Sequence, residues 1–382
     1  MTEVRRHINL WWLAGLLAVL LTACSSSDDT AVIATDPASD PVLTFYVYAP
    51  ERPMVTRAAD DVAAADAENA INSLQIWVFE TGTNNLVGYL NPDTYPTDAE
   101  GTKYLMTVSK AFANAATKPN VDVYVVANAA AAGLSMLNET TTRDDLEEAK
   151  IGSEYFGVGA PVSRITDKGL PMSGVLRNQT ISGSNPVLSI GDGITMAKVN
   201  LLRTVSKMRY VFSRKVATAD VYITSISLDG NMMPVEEYVF LQEGRSYHIG
   251  SSYEALTATL HWKNTEVKTC DAPDVYLYTN QTSQDYENLI DGGVSDEKLT
   301  QVGPFYFKET DRKISGTITY RVGSSSAQTV PFYMTVDDVS KRFVRNHSWI
   351  VYAYFNGAAE KPIITVWVDT NWQTGEHFTI EN

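Results

Sequence analysis

Apolar and polar positions alternate with a period of two in many short runs of this chain, the pattern of β-strands with one buried face. Between Val42 and Ala49, the residues Leu43, Phe45, Val47 and Ala49 fall on one face and Thr44, Tyr46 and Tyr48 on the other. A second run, Ile71 to Phe79, is apolar at nearly every position towards its end, which predicts a central strand covered on both faces. A third is Val121 to Ala127. Further strands are predicted at Tyr104–Ser109, Val187–Ile190, Ile194–Phe212, Val221–Leu228, Val235–Leu241, Leu256–Trp262 and Asp274–Tyr278. Others follow at Pro304–Lys308, Ile314–Val322, Val330–Val336, Trp349–Phe355 and Ile363–Val368. Gly, Pro, Asn and Asp clusters separate them every roughly 10–20 residues, which predicts all-β sandwiches. Helical signal is confined to Thr142–Lys150, with Thr142 as a candidate N-cap and acids in the first turn. The stretch from Gly152 to Gly193 is rich in Gly, Pro and Ser and reads as irregular. A domain boundary is therefore expected near residue 195, between an N-terminal sandwich over 42–195 and a C-terminal one over 196–382.

Composition narrows the function. A chain of 382 residues has room for two or three domains, and 44% apolar with 20% charged residues supports a buried core. A net charge of −15 argues against nucleic acid as a partner and against docking on anionic lipid headgroups. Only Cys24 and Cys270 occur, so a disulfide framework and a Cys-rich metal site are excluded. Cys270 reads as a small buried residue or a spectator, not a nucleophile. No Gly-x-Ser-x-Gly and no phosphate-cradling glycine loop is present. The neighbouring acids Asp337-Asp338 and Glu236-Glu237 would point to opposite faces of a strand, so each pair reads as solvated. Asp291–Asp296 lacks the alternating ligands and final Glu of a calcium loop. His261 reads as a packed or surface residue. The expectation is no enzyme, no cofactor and no metal. Twenty Tyr and 7 Trp could form a glycan-binding platform, but core packing and cross-strand pairing account for most of them.

The N-terminus carries an address. Arg5 and Arg6 precede an apolar run from Ile8 to Leu21. As a helix it would span roughly 21 Å, short of the ~30 Å hydrocarbon core, so it reads as a signal peptide over residues 1–23. The sequence Leu21-Thr22-Ala23-Cys24 resembles the lipobox of bacterial lipoproteins, which implies acylation of Cys24 and attachment to the outer membrane. A polar tether over 24–41 follows. Its Ser25–Asp29 run resembles the surface-export signal of lipoproteins in Bacteroides-like bacteria and reads equally as a plain spacer.

An ordered set of motifs resembles the fimbrillins, the pilus subunits of Bacteroidales. It comprises the lipobox at Cys24; Leu43–Tyr48 with Val55-Thr-Arg-Ala58 and Ala70–Phe79; Leu170-Pro-Met-Ser-Gly174 with Leu201–Met208; and Arg345-Asn-His-Ser-Trp-Ile-Val-Tyr352 with Val366–Trp372. The resemblance implies two tandem transthyretin-like β-sandwiches with few short helices. It also implies export to the cell surface as a lipoprotein, followed by cleavage by an Arg-specific protease. Carried over to this sequence, the cut falls between Arg57 and Ala58; Arg52 is disfavoured because Pro53 follows it. The first strand, 42–49, would be lost, and with it the core contacts of Leu43, Phe45 and Val47. A donor strand from another copy, or from a related fimbrial subunit, would fill the slot. The donor candidates lie near the C-terminus: Ile364, Val366 and Val368 on one face of one strand, and Phe378 and Ile380 on a second. The choice between these stays open, as does stalk against tip, with the stalk favoured.

Two other classes compete. A glycan-binding lipoprotein of a polysaccharide-uptake system would keep its tether and expose a flat row of aromatic rings. A surface hydrolase would need two carboxylates about 5–9.5 Å apart in a cleft.

Overall fold

The computed structural model describes residues 40–50, 68–96, 101–152, 155–156, 168–215, 219–245, 248–253, 259–272, 300–333, 344–356, 361–370 and 375–380. The expected strand Asp274–Tyr278 and the pair Asp337-Asp338 lie outside them. Two sandwiches follow one another along the chain.

The N-terminal half contributes β1 (Val42–Tyr48), β2 (Leu74–Glu80), β3 (Leu86–Leu90), β4 (Thr102–Thr107), β5 (Val121–Ala127) and β6 (Lys150–Ile151). It continues with β7 (Met172–Gln179), β8 (Ile181–Ser184), β9 (Val187–Ile190), β10 (Lys198–Asn200) and β11 (Leu202–Arg203). One sheet runs β10-β1-β9-β8 with β4 on the other side of β1, and the facing sheet runs β11-β7-β5-β2-β3. Their inner faces meet in a core that includes Leu43, Phe45 and Val47 from one sheet and Leu74, Ile76, Val123 and Val125 from the other. The second sheet is buried on both faces, because Trp77, Phe79, Tyr124 and Val126 pack on its outer side against Leu134, Leu146, Val239 and Phe240. This double cover is why β2 and β5 are apolar at consecutive positions rather than alternate ones.

Among the described residues, two short α-helices close loops in this half. In α1 (Lys110–Asn114) the Ser109 hydroxyl accepts the Phe112 N–H. In α2 (Arg143–Glu147), Thr142 and Asp145 form a reciprocal capping box, so the N-cap read from the sequence is the one used.

The C-terminal half comprises β12 (Ser206–Lys215), β13 (Val221–Leu228), β14 (Glu237–Tyr238), β15 (Thr259–Lys268), β16 (Cys270–Ala272) and β17 (Thr300–Phe307). Then follow β18 (Ser315–Val322), β19 (Gln328–Tyr333), β20 (His347–Phe355), β21 (Ile363–Thr370) and β22 (Gly375–Ile380). One sheet runs β16-β12-β20-β21-β22 with β17 on β12, and the facing sheet runs β15-β13-β18-β19. Phe212, Phe305, Trp349 and Ile364 of the first meet Ile223, Ile226, Ile318 and Phe332 of the second.

Three expectations need correction. The run Ile194–Phe212 is not one strand but β10, β11 and the start of β12. The chain changes partner twice there, pairing first with β1, then with β7, then with strands of the second sandwich. The stretch 152–193 holds strands β7 to β9 rather than irregular chain alone. Gly174 misleads there: a Cβ at that position would lie 2.6 Å from the Asn200 carbonyl oxygen, so this glycine marks close approach of neighbouring chain rather than a loop. Finally, Glu237 is fully buried, not solvated. Its backbone pairs with Ile151 of β6 and its carboxylate meets the Arg345 guanidinium.

Buried charge joins the two halves. Arg345 Nη2 contacts Glu237, while Glu309 accepts the Arg345 backbone N–H at 3.1 Å and sits 2.9 Å from His248 Nδ1. Arg345 Nη1 also donates to the Val239 carbonyl at 2.8 Å. A second network holds Glu68, with Lys207 Nζ at 2.7 Å and the Tyr306 hydroxyl at 2.7 Å, and Arg203 donates to Asn346 at 2.8 Å and to Asn69. Burial lowers the Lys207 ammonium to about 8 against the pull of Glu68.

Candidate functional site: the slot of the first strand

β1 is an interior strand. It pairs antiparallel with β4 from Val42, facing Thr107, to Val47, facing Thr102. On its other edge it pairs in parallel with two successive strands, β9 opposite Val42–Thr44 and β10 opposite Tyr46–Tyr48. Backbone bonds beyond the ladders extend this seating: Val42 N–H donates to Pro186 at 2.8 Å, and Leu201 N–H donates to Tyr48 at 3.0 Å. Every other strand of its sandwich lies later in the sequence. Among the described residues it precedes every other strand of its sandwich, so a cut just after it would sever it from that sandwich.

Its inward side chains fill the middle of the core. Leu43, Phe45 and Val47 are each 0% exposed. The Phe45 ring lies 6.3 Å from that of Tyr104 on β4. At ~1.5–3 kcal/mol for each buried side chain, the three contribute roughly 5–9 kcal/mol of apolar burial. Taking β1 away would leave this trough open and strip ladder partners from β4 on one side and from β9 and β10 on the other.

The outward face is not uniform. Tyr46 and Tyr48 are half-buried, with rings 6.2 Å apart, and Tyr48 lies under the Lys198 ammonium at 5.5 Å from its ring centre. Thr44, by contrast, is fully covered. Its hydroxyl donates to the Leu188 carbonyl at 3.0 Å, sits 3.0 Å from the Ser189 hydroxyl and 3.6 Å from Met196 sulfur.

The remaining residues singled out from the sequence fall as follows. Cys24, Arg57 and Ala58 lie outside the described residues. Ile364 is buried in the C-terminal core, and Val366 and Val368 lie on the same strand, β21, which sits between β20 and β22. Phe378 and Ile380 belong to β22, at the edge of that sheet. Sequence reasoning missed Thr44 as a buried polar residue, and it missed the charged joint of Glu68, Lys207, Glu237, Glu309 and Arg345. The one signal for the joint was Arg345, which opens the Arg-Asn-His-Ser-Trp motif. Among the described residues no group of His, Cys, Asp and Glu is placed to hold a metal ion, and no helix is long and apolar enough to cross a membrane. Trp77 and Trp349 are buried, so neither offers a ring to a glycan.

Fold and slot together define a class: a two-sandwich, all-β protein whose first strand is an interior member of the first sheet. Residues 52–204 match the family model of the major fimbrial subunit protein (FimA). No curated protein sequence matches the chain. Among solved structures, a fimbrial assembly protein from Parabacteroides distasonis is 12% identical, covering 90% of this chain and 100% of that one with a TM-score of 0.46. The tip fimbrial protein Mfa3 from Porphyromonas gingivalis is 14% identical, covering 87% of this chain and 100% of that one, also with a TM-score of 0.46.

Proposed function

We propose that this chain is the precursor of a non-enzymatic subunit of a cell-surface fimbria that polymerises by protease-triggered strand exchange and serves adhesion. The precursor is exported as a lipoprotein anchored through Cys24 in the outer membrane. An Arg-specific protease cuts between Arg57 and Ala58. β1 then has no covalent link to the sandwich and is held by its ladders and by Leu43, Phe45 and Val47. A strand from near the C-terminus of a second subunit replaces it, restoring both the backbone pairing and the burial. Because each subunit then donates at one place and accepts at another, the contact does not close on itself and a filament grows. A stalk position fits a subunit that both gives and takes a strand.

The observation that carries this reading is the position of β1: first in sequence, interior in its sheet and central in the core, with the Thr-Arg-Ala segment directly downstream. The test is to treat the purified precursor with an Arg-specific protease. The expected product begins at Ala58 and forms polymers. A cut form that stays monomeric at high concentration, or a precursor uncut near Arg57, contradicts the reading.

A further inference from the structure

We propose that Arg203 is a positioning residue for the slot of β1: it holds the short wall strand β10 in place, and through it the order of the joint between the two sandwiches depends on whether the slot is filled. The proposal rests on the reading above that β1 leaves after cleavage, and it adds how the second sandwich registers that departure.

The walls of the slot are unequal. β9 keeps β8 as a ladder partner when β1 is gone. Among the described residues, β4 and β10 have β1 as their one ladder partner in that sheet. β4 is 6 residues long and sends Tyr104 and Met106 into the core. β10 is 3 residues long and sends in Val199, with Lys198 and Asn200 exposed. Departure of β1 also removes the carbonyl of Tyr48, which accepts the Leu201 N–H at 3.0 Å. β10 is thus the wall that needs support from the chain beyond it.

That support is centred on Arg203, just past the end of β10 and 0% exposed. Its Nε donates to the Glu68 carbonyl at 3.3 Å, Nη2 donates to Asn69 Oδ1, and Nη1 donates to Asn346 Oδ1 at 2.8 Å. Two of these partners reach into the second sandwich. The Glu68 carboxylate is held by Lys207 of β12 and Tyr306 of β17, each at 2.7 Å. Asn346 lies directly before β20 with φ +60°, and its N–H donates to the Val205 carbonyl at 2.9 Å. The fixed fork of a guanidinium meets three oxygens at once, whereas a lysine ammonium is a single point of charge.

The run from the slot to the second sandwich has no slack. Leu201 bonds to Tyr48, and Leu202 and Arg203 pair with Ser173 and Met172 of β7. Thr204 N–H donates to the Pro171 carbonyl at 2.9 Å, Val205 accepts from Asn346, and the Ser206 hydroxyl donates to the Val344 carbonyl. Ser206 is already the first residue of β12. A shift of β10 is therefore passed on to Val205 and Asn346 rather than absorbed on the way. Linkage makes the coupling mutual: if an empty slot loosens the joint, a loosened joint weakens the slot by the same factor.

The test uses the full chain cut by the Arg-specific protease, kept dilute enough to stay monomeric, and a labelled synthetic peptide of residues 40–50 as the probe. Hydrogen exchange over residues 344–350 is followed by mass spectrometry with the slot filled by the peptide and again after the peptide is removed. Protection there should fall by about tenfold or more on emptying the slot and return when the peptide is added back. Arg203→Lys keeps the charge but not the fork. It should weaken peptide binding about tenfold and leave exchange over 344–350 fast and unresponsive to the peptide. Asn346→Gly keeps Arg203, suits the positive φ and lies outside the slot; it should act in the same way, and it reports even where Arg203→Lys fails to fold. Exchange over 344–350 that is the same with the slot full and empty overturns the inference while leaving release of β1 intact. A peptide affinity unchanged in the variants overturns it as well. A cut chain that never exchanges its own β1 for the labelled peptide contradicts release itself, and the inference falls with it.

Discussion

Phe45→Ala should weaken the precursor strongly and the assembled polymer not at all. Phe45 is 0% exposed at the centre of the first core, beside Tyr104. Truncating a buried Phe to Ala removes the transfer free energy and leaves a cavity, at a cost of about 3–5 kcal/mol. With a urea slope of about 2 kcal/mol per molar, a loss near 4 lowers the midpoint of the N-terminal transition by about 2 M. Urea unfolding of the uncut chain, followed by near-ultraviolet circular dichroism, reads this shift. Tyr46→Ala, on the half-buried outer face, is the control and should cost about 1 kcal/mol or less. The same Phe45→Ala change should leave polymers of cut chains as resistant to urea as those of the original sequence, because the substituted strand is no longer present. An unchanged midpoint in the precursor would show that β1 does not hold the core. A weakened polymer would show that β1 stays in it.

Thr44→Cys with Ser189→Cys should form a disulfide within the precursor, since these residues are register partners and their hydroxyls are 3.0 Å apart. Cut under oxidising conditions, that variant should keep β1 bound and remain monomeric until a reductant is added, as size-exclusion chromatography would report. Stability should fall as pH rises from 6.5 to 7.5, a window that stops short of Lys207, whose value lowered to about 8 adds stability as pH climbs past it. Burial, reinforced by Glu309 and opposed by Arg345, raises Glu237 from 4.5 to about 8. A raised folded pKa means that its contribution is full below about pH 4.5 and is lost as pH climbs through about 8. Burial would also raise Glu309, but the His248 hydrogen bond and Arg345 outweigh it and bring it to about 2, so its contribution fades only in strong acid. Burial and Arg345 lower His248 from 6.5, which places its effect below the chosen window. Glu237→Gln should therefore flatten the fall in Tm between pH 6.5 and 7.5. Glu68→Ala removes the carboxylate facing buried Lys207 and should cost about 3–5 kcal/mol, read as a lower Tm of the precursor.

Much of the fold was legible because strand alternation is a local signal. The inward set Leu43, Phe45 and Val47, the doubly covered β2 and the cap at Thr142 could all be read from neighbouring residues alone. What escaped depends on contacts between segments far apart in the chain. Gly174 looks like a turn residue until Val199 and Asn200 arrive beside it. Glu237 looks like a surface acid until Arg345 closes over it, 108 residues away. Thr44 looks like an ordinary outward residue until residues 188–196 cover it, more than 140 positions later. A long-range partner leaves no periodic trace in the sequence, so charged joints and polar pins stay invisible until the fold assembles them.

The most direct measurement is the mass and N-terminal residue of the subunit taken from fimbriae assembled on cells. The account predicts a chain that begins at Ala58 and contains none of residues 42–48. A subunit that still begins at acylated Cys24 and carries Leu43, Phe45 and Val47 within the filament would contradict it.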